Sequence, residues 1–327
     1  MANKSNWKEH LLKSGIPLEF EIKRYLDAKN CVSNFEYTYF RENEDKNLTE
    51  FSYDLDSSYI VTPHFADLMI ECKYRHESTK WVFLPEQYDG IDKITHTSFM
   101  HKNAHFNTAP HYQPPFPIPF APLCSKGIEL TNYGNNPKTI TQAIHQLSYA
   151  MAGRIINGMQ HQVDSVLREH FENTIFYNIP IIVTTAKLFR IREDVDIDRI
   201  KLADDIEEIS TNETCLVVKS PAGIDLETYN NTIFNNFITE NERETLNKYL
   251  NSFNKEIDFV TSVIARNYSP SCILVVHYSK ENNGLDQFFD FIDRVFNPDQ
   301  EVKDLIAKRQ KEMKDFLLKF RSGKKDS

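Results

Sequence analysis

The side chains of this sequence that are best suited to chemistry are two aspartates, a glutamate and a lysine. All four lie between residues 51 and 75, in two segments in which polar and apolar residues alternate. This period of two predicts β-strands, with Asp54 and Asp56 on one face of the first and Glu71 and Lys73 on one face of the second. The apolar residues that take the opposite face of the first strand are Phe51, Tyr53 and Leu55. If the two strands are neighbours, at least two carboxylates and an ammonium group converge.

Such a group of charges has a definite chemical use. Two carboxylates a few Å apart repel each other, and a hard divalent cation with oxygen ligands relieves that repulsion. A lysine beside the cation can polarise a water molecule or stabilise negative charge that develops on a phosphate. Carboxylates, Mg²⁺ and a lysine are together the components of a site for phosphodiester hydrolysis.

Several predicted elements must position these side chains. A helix is predicted over residues 17–29, where apolar residues recur at helical spacing and Pro17 suits the first turn. A first strand is predicted near residues 31–40. Further along, a long helix is predicted from 139 to about 171, and the apolar run 179–188 is typical of a buried strand.

The second half of the sequence continues the alternation of strands and helices. Strands are predicted at 214–219 and 272–277, and helices over 240–266 and 285–320. This order predicts the mixed α/β class. The glycine-rich motifs of P-loop and Rossmann proteins are both absent, which excludes those two nucleotide-binding folds.

Residues 86–136 are predicted to form a long insertion rich in proline and histidine. Six prolines fall between Pro110 and Pro122. The four histidines are His96, His101, His105 and His111. His101 and His105 have the spacing of metal ligands on a helix, but no third ligand lies at a suitable spacing. We therefore expect the histidines to be solvated or to contact substrate.

Composition limits the class of protein. The chain has 327 residues and a formal net charge of −9, so no general basic field attracts nucleic acid. Its 40% hydrophobic content is enough for a substantial core, which excludes a wholly disordered chain. The five cysteines show no CxxC pairing and are expected to be buried or idle thiols in a reducing compartment. We find no signal peptide and no apolar run long enough to span a membrane, and we expect a cytoplasmic protein.

The sequence resembles a known superfamily, the PD-(D/E)xK nucleases, which have the restriction-endonuclease-like fold. The matching residues are an aspartate on a strand, Asp54 or Asp56, and, after a gap, Glu71-Cys72-Lys73 between apolar residues. The preceding segment GIPLEFEIKRYL looks like the first core helix of the family, which carries a glutamate.

The segments that follow the ExK motif also resemble the family. They are an aromatic strand (WVFL), a helix that carries Gln142 and Gln146, and the strand IPIIVTTAKL. The resemblance covers about residues 14–190. It implies a mixed central sheet of four or more strands flanked by helices. The nuclease-like core would span residues 1–220, with a C-terminal strand and helices at 221–327 packed on it.

The resemblance also implies roles for the acidic residues. Asp56 and Glu71 would bind Mg²⁺, or Mn²⁺ in its place, with Asp54 as the other candidate for the first ligand. Lys73 would position or activate the attacking water and stabilise the pentacovalent phosphate. Glu19 would complete the outer shell of the metal. Periodicity alone does not choose between Glu19 and Glu21, and the resemblance favours Glu19.

Four other polar residues are weaker candidates. Gln142 and Gln146 lie one turn apart on the long helix and either point at the site or lie on the surface. Arg75 and Lys80 follow the motif and either meet phosphates or are ordinary surface charges.

The segment 301–327 has nine basic and five acidic residues, so its local net charge is +4. It is predicted to form a basic amphipathic helix.

These observations together favour a Mg²⁺-dependent nuclease, most simply a DNA endonuclease, with restriction or phage defence as its setting. The partner would be nucleic acid; a protein partner and a homodimer stay open. The first alternative is a catalytically silent nuclease-fold module that binds nucleic acid or a protein in a larger assembly. The second is an unrelated α/β interaction protein in which the ExK triplet is a coincidence.

Overall fold

The computed structural model describes seven segments of the chain, in which helices separate runs of β-strands. The segments are residues 6–42, 47–86, 94–108, 111–169, 173–251, 256–267 and 271–323. The first elements are α1 (Trp7–Lys13), α2 (Ile16–Ala28), β1 (Val32–Glu42), β2 (Leu48–Val61), β3 (His64–Lys73), β4 (Lys80–Pro85), β5 (His101–Asn103), β6 (Leu123–Thr131) and β7 (Gly134–Asn136). They are followed by α3 (Lys138–Leu167), β8 (Ile175–Thr184), β9 (Lys187–Ile191), α4 (Ile197–Leu202), β10 (Ser210–Glu213) and β11 (Cys215–Lys219). The last are α5 (Ile224–Glu240), α6 (Arg243–Tyr249), α7 (Ile257–Asn267), β12 (Cys272–His277), α8 (Gly284–Phe296) and α9 (Gln300–Gly323).

The strands form one large mixed sheet, and the predicted mixed α/β class with a sheet flanked by helices is confirmed. The strand order is β1-β2-β3-β8-β12-β11-β6-β4-β9-β10, while β5 pairs with β8 and β7 with β6. Strands β1, β2 and β3 are antiparallel neighbours. Strands β3, β8 and β12 run parallel to one another, so their carboxyl ends lie at the same edge of the sheet.

Helices cover both faces of this sheet, and the predicted apolar stripes face it. On α2, Leu18, Ile22 and Leu26 recur every four residues and are buried together with residues of α8. On the other face, α3 runs for 30 residues and buries a separate cluster with α5 to α7. The sheet therefore lies between two hydrophobic layers, as expected for a mixed sheet with helices packed on both faces.

The boundaries of two predicted regions change in the structure. The strand predicted at 179–188 is β8, which begins four residues earlier and is buried along its whole length. The long insertion predicted over 86–136 ends sooner, because β6 pairs with β4 and β11 inside the sheet. The proline-rich run stops at Pro122, and the backbone from Leu123 onward is free to donate the hydrogen bonds of a strand.

The C-terminal part also differs in detail. The helix predicted over 240–266 is two helices, α6 and α7, since α5 ends where the predicted range begins, and the helix predicted over 285–320 is also two, α8 and α9. Pro298 lies between α8 and α9, where its ring cannot continue a helix. Strand β12 lies between β8 and β11, so the segment 221–327 contributes a central strand to the sheet.

Two further observations concern the cysteines and the length and polarity of the helices. All five cysteines are buried and none forms a disulfide, which confirms that part of the prediction. Within the described segments, every helix is too short or too polar to cross a membrane.

Candidate active site on strands β2 and β3

The antiparallel pairing of β2 and β3 places Asp54 beside the ExK motif. Leu55 is paired with Ile70 and Asp56 with Met69. Beyond these pairs, the backbone N–H of Cys72 donates a hydrogen bond of 2.6 Å to the Asp54 carboxylate. The predicted neighbourhood of the two strands is therefore confirmed, and Asp54 is tied to the middle residue of the motif.

The alternation of β2 is interrupted at Asp54, and the prediction that Tyr53 and Leu55 share one face is wrong. Tyr53 is buried in the cluster under α3, whereas Leu55 is buried in the cluster under α2. On the neighbouring strand, Glu36 has a φ of 55°, which is rare for a residue with a side chain. The pairing of β1 with β2 passes from Phe35–Leu55 to Tyr37–Tyr53 around this residue. At this irregularity the register of the two strands does not change, but the face of β2 does, and Asp54 and Asp56 meet different partners.

Glu71 is the most buried acid of the region. Its side chain has 0% exposure, one carboxylate oxygen contacts the Lys73 ammonium, and the other, Oε2, has no hydrogen-bond partner among the described residues. Burial raises the pKa of Glu71 to about 8, and the negative charges of Asp54 and Glu19 add to this while Lys73 opposes it. Burial therefore favours the protonated form of this carboxyl group, and a bound cation would favour its charged form.

Glu19 joins the same group from helix α2. Burial raises the pKa of Glu19, and the charges of Asp54 and Glu36 raise it further, while Lys73 lowers it. Burial also raises the pKa of Asp54, against the opposing effects of Lys73 and of the Cys72 N–H. We call Glu19, Asp54, Glu71 and Lys73 the lysine cluster.

Glu21 and Glu36 differ in their relation to the lysine cluster. Glu21 is exposed and accepts a hydrogen bond of 3.4 Å from the hydroxyl of Tyr278. Glu36 was not predicted, although its charge acts on both Glu19 and Asp54. Its sequence context, a polar residue on an aromatic strand, carries no signal of this role.

Asp56 lies in a second group of charges. The Arg154 guanidinium of α3 is 3.2 Å from the Asp56 carboxylate and 2.8 Å from that of Asp67. The hydroxyl of Tyr53 donates a further hydrogen bond of 2.7 Å to Asp56. We call Asp56, Asp67 and Arg154 the arginine cluster. The structure thus brings Asp54, rather than Asp56, to Glu71 and Lys73.

The arginine cluster contains two residues that were not predicted from the sequence. Asp67 is nearly buried; burial raises its pKa to about 6, while Arg154 opposes the shift. A signal was present, since the period of two in segment 66–75 places Asp67 on the same strand face as Glu71 and Lys73. Arg154 lies 16 residues into a long helix, where spacing alone does not connect it to a strand.

Of the two predicted glutamines on α3, Gln142 and Gln146, only Gln146 reaches the lysine cluster. Its Oε1 lies 3.5 Å from the Lys73 Nζ, and its Nε2 donates a hydrogen bond of 3.0 Å to the Ser52 carbonyl. Gln142 is exposed. The two basic residues after the motif are both engaged: Arg75 pairs with Glu129, and the ammonium of Lys80 lies over a phenylalanine ring.

The histidines of the insertion are not solvated, so that part of the prediction is wrong. His96 and His101 are buried, and His105 and His111 are partly buried. Burial lowers the pKa of His96 and His105 to about 4 and that of His101 and His111 to about 3. The reason is that β5 is added to β8 and draws the segment into the core, which the loop-like composition did not indicate.

The donor atoms of the lysine cluster fit a hard cation. Among the described residues, no three or more His, Cys, Asp or Glu side chains form a ready group for a metal ion. Asp54 and Glu71 nevertheless offer two carboxylates, and Mg²⁺ is commonly held by one or two carboxylates, with water and substrate phosphates as its other ligands. The partnerless Oε2 of Glu71 is the acceptor that such an ion would satisfy.

Comparison of the chain with known protein families, with curated proteins and with solved structures finds no match. A buried carboxyl with a partnerless oxygen, a second carboxylate and a lysine can bind a divalent cation and act on a phosphate ester.

Proposed function

We propose that this protein is a Mg²⁺-dependent nuclease of the PD-(D/E)xK type, with nucleic acid, most simply DNA, as substrate. The observation that carries the proposal is the buried carboxyl of Glu71, which lies between Asp54 and Lys73 and has one oxygen without a partner among the described residues. Burying such a group without full compensation costs free energy. Binding of a ligand at this position would explain why the fold keeps a group that is unfavourable to bury. Groups with strongly raised pKa values also concentrate at functional sites.

The fold offers a second line of support. A helix carrying a glutamate (α2) precedes three antiparallel strands, and a long helix (α3) leads to β8, which is parallel to β3. The resemblance implied this set: a mixed sheet of at least four strands flanked by helices. The remaining strands of the sheet extend it beyond β8 and leave these first four strands contiguous.

Each residue of the lysine cluster would have a separate role in cleavage. Asp54 and Glu71 would hold the divalent cation, which when bound would stabilise negative charge on the phosphate. Lys73 would orient the attacking water by hydrogen bonding and offset negative charge on the phosphate oxygens. Glu19 would hydrogen-bond water at the rim of the site. Gln146 would keep the Lys73 ammonium in place, since it contacts both that group and the backbone of β2.

Plasmid cleavage tests the proposal directly. The wild type, Lys73→Ala and the control Lys126→Ala are incubated with supercoiled plasmid, single-stranded DNA or RNA in the presence of Mg²⁺. Lys126 is exposed on β6, away from the site. We expect cleavage by the wild type and the control, loss of at least about 100-fold with Lys73→Ala, and no cleavage in EDTA. A wild type that cleaves none of the three substrates contradicts the proposal.

One observation favours a second candidate, the catalytically silent module that binds nucleic acid or a protein. Lys73 is already paired with Glu71, and no ready group of three metal ligands is found among the described residues. The same experiment separates the two candidates. A silent module retards labelled nucleic acid in a gel and leaves it intact at every Mg²⁺ or Mn²⁺ concentration.

A further inference from the structure

An open cavity of about 730 Å³ lies at the carboxyl ends of the three parallel strands β3, β8 and β12. The residues that directly follow these strands, Tyr74, Thr185 and Tyr278, all line it. Ligands of open α/β sheets bind in crevices outside the carboxyl ends of parallel strands. The position of the cavity in the fold is therefore that of a ligand site.

This cavity adjoins the lysine cluster through two stretches of chain. Lys73 belongs to the cluster and the next residue, Tyr74, to the cavity wall; on α2, Glu19 belongs to the cluster and its neighbour Leu18 to the wall. Successive Cα atoms are 3.8 Å apart, but the alternation of a strand turns the side chains of consecutive residues to opposite faces of the sheet, so the two sites are neighbours along the chain at the end of β3.

The wall combines aromatic and apolar surface. Tyr74 and Tyr278 are half-buried and contribute their rings, and the apolar part comes from Leu12, Pro17 and Leu18. Aromatic side chains are the usual stacking surfaces for the bases of single-stranded nucleic acid. A surface of this kind suits a base rather than a sugar or a bare ion.

The charges of the cavity point to the same ligand. Lys187 and Lys280 line it, are exposed, and have no carboxylate within 4.0 Å among the described residues. Three glutamates, Glu21, Glu77 and Glu281, also line it and balance the basic residues. A bare anion gains little from such a mixed field. A nucleotide carries a phosphate, which the lysines can bind, and base N–H groups, which can donate hydrogen bonds to the carboxylates.

We propose that this cavity binds a nucleotide, with the base against the tyrosines and the phosphate toward Lys187 and Lys280. The nucleotide is either a unit of the substrate strand or a free nucleotide. In its first form the inference rests on the proposed nuclease function, and in its second form it stands apart from it.

Titration calorimetry in EDTA tests the binding. The probes are the four ribonucleoside 5′-monophosphates, each alone, and inorganic phosphate. We expect at least one mononucleotide to bind with a Kd below about 1 mM, and phosphate to bind more weakly. The double variant Lys187→Gln/Lys280→Gln should raise that Kd about fivefold or more, because two charge-assisted contacts are lost.

The control is Lys126→Gln/Lys303→Gln, which removes two exposed lysines outside the cavity and should leave the Kd unchanged. The inference is overturned if no mononucleotide binds, if inorganic phosphate binds as tightly as the nucleotides, or if the cavity variant binds like the wild type.

Competition identifies the source of the nucleotide. A fluorescein-labelled single-stranded DNA is bound in EDTA, and the mononucleotide is added. Displacement, together with weaker DNA binding by the cavity variant, identifies a unit of the substrate strand. Mononucleotide binding that leaves the DNA in place identifies a free nucleotide. Plasmid cleavage with Mg²⁺ is measured in parallel: lysine-dependent nucleotide binding without cleavage supports the cavity and contradicts the nuclease, and cleavage without nucleotide binding does the reverse.

Discussion

The lysine cluster and the arginine cluster share strands β2 and β3 but are built on opposite electrostatic principles. Arg154 bridges both carboxylates of its cluster, and its planar guanidinium can donate several hydrogen bonds at once. Lys73 is a single ammonium that meets one oxygen of Glu71 and leaves the other without a partner among the described residues. Two acids face one guanidinium in the arginine cluster, which we expect to stabilise the fold. The lysine cluster leaves a buried carboxyl oxygen without a partner among the described residues, and a bound cation would satisfy it.

The largest expected effect comes from removing the compensating charge of the arginine cluster. Arg154→Met leaves Asp56 and Asp67 without their shared partner, with side-chain exposures of only 20% and 7%. We expect the free energy of unfolding at pH 7 to fall by about 3 kcal/mol, because a buried carboxylate without its partner is costly. Urea denaturation measures it, with Arg154→Lys as the variant that keeps the charge and should recover part of the loss. A change below about 1 kcal/mol would show that the cluster is not a stabilising element.

The next effect concerns which aspartate acts in cleavage. Asp54→Asn should reduce the initial rate of plasmid cleavage about 100-fold, or about 2.7 kcal/mol, because it removes a carboxylate beside Glu71. Asp56→Asn should change the rate per folded molecule less than about threefold, since its carboxylate faces Arg154. The folded fraction is measured by circular dichroism for both variants. A larger loss of rate with Asp56→Asn than with Asp54→Asn would identify Asp56 as the metal ligand.

A third effect is the pH dependence of stability due to Glu71. Its pKa is raised in the folded state to about 8, from an ordinary value near 4.5. Between these values the folded state binds more protons than the unfolded state, so this group makes the protein lose stability as pH rises from about 5 to 8. Glu71→Gln removes that loss and should be the more stable protein at pH 8 by about 1 kcal/mol or more. Urea midpoints of the two proteins at pH 6 and pH 8 give the difference, and parallel pH profiles would contradict it.

The smallest effect is expected at Gln146, which only positions the lysine. Gln146→Leu should lower the cleavage rate about threefold, because Lys73 loses a weak contact while Glu71 still holds it. The matched control is Gln142→Leu, one turn away and exposed, with no change expected. Rates with excess Mg²⁺ are compared after the folded fraction is measured. Equal rates for the wild type, Gln146→Leu and Gln142→Leu would show that Gln146 has no role in cleavage.

Much of the scaffold follows from local patterns in the sequence. Alternation in β2 and β3 and the stripe of α2 predicted elements that the structure confirms, because each pattern reflects which side of the element is buried. The segment from 86 to 136 was predicted less well. Its prolines and histidines are typical of a loop, whereas β5 and β6 are recruited by pairing with strands distant in sequence.

The candidate site was likewise predicted only in part. Residue types and a period of two are local properties, and they placed the two aspartates on one strand and Glu71 with Lys73 on the next. The neighbourhood of the two strands was a condition of that prediction, and the pairing of Asp54 with the Glu71 motif and of Asp56 with Arg154 is a result of tertiary packing. That pairing depends on the irregularity opposite Glu36, on the register of two strands, and on a helix nearly 100 residues away. These contacts join residues that no local pattern connects, so their pairing is settled by packing in three dimensions.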